Sequence, residues 1–513
     1  MKLQFVSLLL ALCTAAGSMA LPAAAETTWA AQAESSQPDL ETNGGAENVW
    51  EDFEYQVLDD QTIEITRYTG SDDILIIPEK IGERQISAIG AEAFRACKTL
   101  KEITLPQGMT SIGKSAFAEC ENLENITLPQ GLTSIGNAAF MQCSSLQAVD
   151  LPDGVTAIND YTFGYCENLE RVSIPESVTT IREAAFGQCL RLKTIALPKG
   201  VTSLADYAFY HCESLERVEF SDNITYIGEN AFAYCKSLDT LTLPDRLADI
   251  DFSAFAYCES LKDLVFSENL ETIGEKAFIG CKSLKDLKLP EGLRRIGEEA
   301  FANCSKIKSL ALPISIKEIA KGAFSGCGKL KTVDYNGSKT KRKKIWIIGE
   351  GNIPLLQSDI RYANNGKTET FAPKKGARIT AGSETYQVKT DVNTVAFVKT
   401  NGKAAKFTIP DFISANGITY KVASVTKDAF RNNKKITKVT IKAEIASIGK
   451  NAFRGCSNLG TIVIRSRSLS SVGADAFRGI HATAAIKVPD GKQNAYQKLM
   501  KGKGISSKVK IVS

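Results

Sequence analysis

The chain has 513 residues, 43% of them apolar, which is enough to bury an extended core. Its two histidines exclude a multi-histidine metal centre and leave any nucleophile–histidine pair dependent on His211 or His481. The net charge of +4 is divided: residues 366–513 hold 27 Lys and Arg against 8 Asp and Glu, a net of +19, and residues 1–365 carry −15.

In chain order, residues 1–25 hold one charge, Lys2, then the apolar run Phe5 to Ala16 and a small-residue site at Ala23-Ala24-Ala25. That is the layout of a signal peptide, so the mature chain is expected to be exported. No later stretch approaches the roughly 20 consecutive apolar residues of a membrane-spanning helix, and no membrane span is expected. Residues 26–52 read as a flexible start. From Phe53 to Gly70, "FEYQVLDDQTIEITRYTG" alternates as a hairpin does.

A repeat then governs the chain. Cysteines stand at 97, 120, 143, 166, 189, 212, 235, 258, 281, 304 and 327, a uniform step of 23, and each lies three residues after a Phe. The ladder includes Phe117 and Cys120, Phe140 and Cys143, Phe163 and Cys166, Phe186 and Cys189, and Phe209 and Cys212. In each unit a segment such as "ITLP" alternates with a period of two and stops at Pro106, which predicts a short strand. In "SIGKSAFAEC" the set Ile112, Ala116, Phe117 and Cys120 gathers on one face at about 100° per residue, which predicts a short helical turn. One such coil cannot repay the entropy of ordering itself, so coils must stack into a solenoid with strands about 4.8 Å apart. The thiols then form an interior file. They read first as small apolar filler, with disulfides between neighbouring coils as the alternative, while metal is disfavoured because a file diverges from any single centre.

"LKEITLPQGMTSIGKSAFAECEN" resembles the BspA-like, 23-residue class of leucine-rich repeat, and the likeness extends over residues 53–365. The resemblance implies a right-handed leucine-rich-repeat solenoid, exported to a bacterial surface and used for adhesion to host or neighbouring-cell proteins or to surface polymers. It also implies that Phe53–Gly70 covers the first coil and that Val333–Tyr362 closes the array. In this closing segment Lys341, Arg342, Lys343 and Lys344 stand where the family carries acidic residues, and they are candidate polyanion contacts.

Residues 366–384 read as a linker. "YQV" at Tyr386–Val388 then repeats Tyr55–Val57, and a short basic module of the same type follows over 385–513, with Phe430, Phe453 and Phe477 marking its coils. Asn433 takes the thiol's place in the first coil and Cys456 keeps it, so the thiol is replaceable. The ending reads as strand, helix, strand.

The sequence contains no phosphate-binding loop, no nucleophile elbow and no HExxH, so no catalytic residue, cofactor or metal ligand is expected. The residue before each cysteine falls at the edge of the buried arc, and here central coils carry Tyr165, Gln188, His211, Tyr234 and Tyr257. Tyr165, His211, Tyr234 and Tyr257 are the candidate partner-binding ridge, able to stack on sugars, to anchor a protein, or simply to lie against one another. The basic end either serves solubility or meets a polyanion. Without the aromatic–basic alternation of single-strand binders, anionic cell-wall polymer is favoured over nucleic acid. The expected function is a secreted, non-enzymatic binding or adhesion protein. The alternatives are a soluble glycan-binding module and, further off, a carbohydrate-active enzyme with an unrecognised carboxylate site.

Overall fold

A computed structural model describes residues 48–363, 368–389 and 392–513, and Val49–Ser513 form one compact unit. The expected signal peptide and most of the flexible start, residues 26–47, lie outside the described residues. The chain is a solenoid in which matching positions of successive coils pair in parallel, as Ile103 does with Ile126 and Ile112 with Ile135. Each coil contributes two strands rather than the one expected: a three-residue strand such as Glu102–Thr104 and a two-residue strand such as Ser111–Ile112.

The Phe–Cys segment is not the helical turn that its spacing predicted. Its hydrogen bonds are short i to i−3 turns such as Cys120 N–H to Phe117 O at 3.2 Å, and φ is positive at Ser115 (53°) and Glu119 (64°). Two left-handed residues four apart turn every second amide of the segment toward the next coil. Ser115, Phe117 and Glu119 donate to the carbonyls of Asn137, Ala139 and Met141 at 2.9, 2.8 and 2.7 Å. A helix would spend these amides within its own coil, whereas the turn makes a third ladder that binds one coil to the next.

Inside, Phe94 through Phe324 form one stack. All eleven rings are fully buried, and successive centroids lie 5.0–5.6 Å apart. At its start Tyr68 takes the place of the first Phe, 5.2 Å from Phe94, and the hairpin of Phe53–Val57 with Ile63–Tyr68 covers the coil. At its end the buried side chain of Asn352 stands in for the next backbone. Its Oδ1 accepts Phe324 N–H at 2.9 Å, and its Nδ2 donates to Ala320 O and Ile348 O, each at 2.7 Å. Nothing in the repeat pattern marks that asparagine.

Two expected boundaries need correction. The segment read as a linker holds the strands Thr368–Thr370 and Arg378–Ala381 and the buried Phe371, because its few apolar residues find cover in the closing segment. The closing segment is not a free end either: Ile347 and Ile348 pair in parallel with Ile418 and Thr419, so one sheet runs from the long array into the short one. The short array also repeats the first cap. Glu384–Val388 pairs with Thr394–Thr400, with a register shift between Thr385 and Tyr386 that matches the shift between Glu54 and Tyr55. At the C-terminus the strand Ala485–Lys487, helix Gln493–Met500 and strand Lys510–Val512 form as expected.

Candidate interaction surface

The ridge is built by the third ladder. The residue before each thiol is left-handed, with φ of 62° at Tyr165, 64° at Gln188, 58° at His211, 64° at Tyr234 and 59° at Tyr257. This conformation costs a bulky residue about 1 kcal/mol or more. The amides recover it, since Tyr234 N–H reaches Ala256 O at 2.7 Å and His211 N–H reaches Ala233 O at 2.9 Å. The same geometry throws the side chains outward in register.

Three of the four expected ridge residues come together. His211 stacks on Tyr234 at 4.3 Å and 17°, and Tyr234 on Tyr257 at 4.7 Å and 15°. Tyr165 does not join this stack directly, because Gln188 occupies the coil between it and His211. Two rings that the sequence reading missed back the stack: Tyr210, itself buried, packs edge-on against His211 at 4.6 Å and against Tyr234 at 5.8 Å, and the half-buried Tyr207 packs on Tyr210 at 5.5 Å. The signal for Tyr207 was available, since it recurs at the position of Tyr161, the other left-handed site of the coil, whereas Tyr210 stands where other coils carry Gly164, Gly187 and Ala233.

The stacking decides what the rings can offer. Their faces are turned to one another, and the far face of Tyr257 lies over the Gly280 backbone, where a Cβ would fall 2.6 Å from the ring. The rings are partly exposed, so with their faces occupied it is their edges that remain for a partner. Stacking on a sugar needs an open face, whereas ring edges and hydroxyls suit carbonyls, carboxylates and aliphatic groups.

Glu213 Oε1 lies 3.3 Å from His211 Nδ1 and also accepts Lys236 Nζ at 2.7 Å. Burial holds the His211 pKa below its ordinary value, although Glu213 opposes the shift. The unfolded imidazole therefore takes up a proton more readily, and this contribution to stability is lost as pH falls below about 6.5. Melting followed between about pH 7 and pH 5 should show a steeper loss in Tm for the wild type than for His211→Gln. Equal slopes would remove His211 from the acid response.

The basic run of the closing segment is divided by the fold. Lys341, Lys343 and Lys344 are exposed, but Arg342 is buried at the junction of the arrays. Its Nη1 donates to Asn416 O at 3.3 Å and its guanidinium lies 5.2 Å from the centre of the Phe371 ring. Arg342 is thus withdrawn from the expected polyanion contacts, because a guanidinium in a four-residue helical turn cannot face both the junction and solvent. Along the rest of the array carboxylates pair with cations one coil away, as Glu170 does with Lys193 at 2.8 Å and Glu259 with Lys282 at 2.8 Å. The strand faces that flank the buried Ile or Val, such as Glu102 and Thr104 or Thr240 and Thr242, are exposed.

Residues 77–192, 156–285, 249–345 and 396–509 match the BspA type leucine rich repeat region. The chain belongs to that family. This BspA-type protein is similar to a leucine-rich repeat protein from Bacteroides ovatus, at 22% identity over 90% of this chain and 98% of the other, with a TM-score of 0.47. It is also similar to a leucine rich cell surface protein from Faecalibacterium prausnitzii, at 28% identity over 59% and 98%, TM-score 0.38. The pneumococcal vaccine antigen PcpA aligns at 17% identity over 91% and 98%, TM-score 0.42. No curated protein matches the chain. Among the described residues no helix is long and apolar enough to cross a membrane.

Proposed function

We propose that this BspA-type protein is an exported, non-enzymatic adhesion protein whose aromatic patch docks a protein on a host or neighbouring cell. The observation that carries this reading is the mutual stacking of His211, Tyr234 and Tyr257, which occupies their faces and leaves partly exposed rings to meet a partner edge-on. Tyrosines presented in this way are enriched at the centres of protein interfaces. The basic short array, with Lys341, Lys343 and Lys344 nearby, would hold the protein on anionic cell-wall polymer through many weak contacts. Membership of the BspA-type family supports a repeat-based binding role.

The test uses the mature chain and intact target cells. Tyr234→Ala with Tyr257→Ala should weaken binding by about 30-fold or more while far-UV circular dichroism is unchanged. Protease treatment of the target cells should abolish binding, and periodate oxidation of their glycans should not. Binding that survives protease and is lost to periodate would favour the soluble glycan-binding alternative. In the same preparation, salt at about 1 M should release the protein from its own cell walls, since screening at that strength shortens the reach of charge to a few ångströms.

A further inference from the structure

The twelve described cysteines are all free, and from Cys120 onward they share one arrangement. Each is fully buried and donates its thiol hydrogen to the carbonyl of a Phe one coil back, as Cys120 does to Phe94 O at 3.0 Å, Cys212 to Phe186 O at 3.2 Å and Cys456 to Phe430 O at 2.9 Å. Cys97 alone among the described cysteines departs from this. It is partly exposed and has no Phe carbonyl beneath it, because the coil before it is the capping hairpin, where Tyr68 supplies a ring but no matching turn. Its neighbour one coil on is Cys120, whose single S–H is given to Phe94 O in the structure; swung toward Cys97 instead, that hydrogen favours the Cys97 thiolate and lowers its pKa below the ordinary value.

The geometry points to a modification site at the mouth of the thiol file: Cys97 and Cys120 form a reversible disulfide by exchange with a small organic disulfide. The Cys97 thiolate attacks one sulfur of the reagent, forming a mixed disulfide and releasing one thiolate. Cys120 then attacks the Cys97 sulfur, the protein disulfide forms, and the second reagent thiol leaves with the Cys120 proton. Two protein thiols are oxidised and one reagent disulfide is reduced to two thiols. Beside the two thiols the coils are joined backbone to backbone, Phe94 N–H to Ala116 O and Ala96 N–H to Ala118 O, each at 2.8 Å, and that hydrogen-bonded spacing of about 4.8 Å lies inside the Cα range of about 4.4–6.8 Å that a disulfide spans. Cys97 is free to rotate toward its partner because no carbonyl holds it. When Cys120 turns away, Phe94 O is not orphaned, since it still accepts Cys97 N–H at 3.2 Å.

The fold supplies its own control. Cys281 and Cys304 lie on neighbouring coils at a similar spacing, Phe278 and Phe301 being 5.4 Å apart, but both are fully buried, so no reagent reaches either. The bond at Cys97 would clamp the first coil to the second beneath the capping hairpin, independently of any binding role.

The experiment treats the native, reduced chain with oxidised glutathione and maps the products by mass spectrometry. Cys97 should take up an alkylating label about 100-fold faster than Cys143 or more, since interior thiols react only on opening. Oxidation should link the peptides carrying Cys97 and Cys120 with loss of two hydrogens, raise Tm, and reverse with dithiothreitol. Cys97→Ser should take up no glutathione, and Cys120→Ala should stop at the Cys97 mixed disulfide. A wild type that stops at the mixed disulfide, a Cys97 that labels no faster than Cys143, or oxidation of Cys281 with Cys304 at the same rate would each overturn the proposal.

Discussion

Phe209→Ala should destabilise the long array by about 3–5 kcal/mol, the cost of removing a fully buried ring from a site that cannot collapse. Phe209 lies between Phe186 at 5.3 Å and Phe232 at 5.1 Å, both nearly parallel to it. The gap cannot close, because strand pairs and the turn ladder fix the coil spacing on every side of the stack. In a one-dimensional array each coil is stabilised mainly by its neighbours, so a lost contact in the middle weakens two interfaces together. Limited proteolysis should then cut between residues 200 and 220, in coils that resist cleavage in the wild type. Cys212→Ala, on the same turn, should cost only about 1 kcal/mol, for one thiol and one S–H···O bond. Equal effects of the two substitutions would mean that the thiol file, not the ring stack, carries the core.

Gly417→Ala should uncouple the two arrays. Gly417 has φ of 78°, and a Cβ there would collide with the carbonyl oxygen of Ile345 and lie 2.6 Å from that of Lys343. Both obstacles are backbone and cannot swing aside, so the hairpin tip must retreat and take Ile418 and Thr419 away from Ile347 and Ile348. We expect a loss of about 3 kcal/mol at the junction and, in calorimetry, two separated transitions in place of coincident melting. Gly376→Ala is the control: φ is 85°, but nothing lies within 4 Å of the added carbon, so it should show strain of about 1 kcal/mol without separation. A single unshifted transition in Gly417→Ala would show that the arrays are joined elsewhere.

The junction also shows where the sequence is silent. After the opening hairpin the first array carries a second, short one that pairs only Lys80 with Gln85 and Ile81 with Arg84, whereas its counterpart in the short array pairs Phe412–Ala415 with Ile418–Lys421. The added rungs hold the residues that grip the long array, yet "ANG" reads as an ordinary turn. Arg342 reads as one member of a basic run and is buried only because Phe371 and Asn416, distant in sequence, converge on it. The ridge was half legible. Its positions follow from the period, but that its rings close over one another depends on the coil spacing and on Gly280.

By itself the sequence determined the 23-residue period, the Phe and Cys interior, the opening hairpin and its second copy, and the side on which the tyrosines align. Those features depend on recurrence, and identical neighbours in a stack force identical surroundings. The tertiary structure alone decided that the Phe–Cys turn bonds outward instead of coiling on itself, that Asn352 closes the ladder, that the arrays share a sheet, and that Cys97 stands apart from the other thiols. The turn is decided by the amides' bonds to the next coil, which a periodicity shared by helix and turn does not reveal, and the other three are set at an end or a junction, where one coil meets something other than its own repeat.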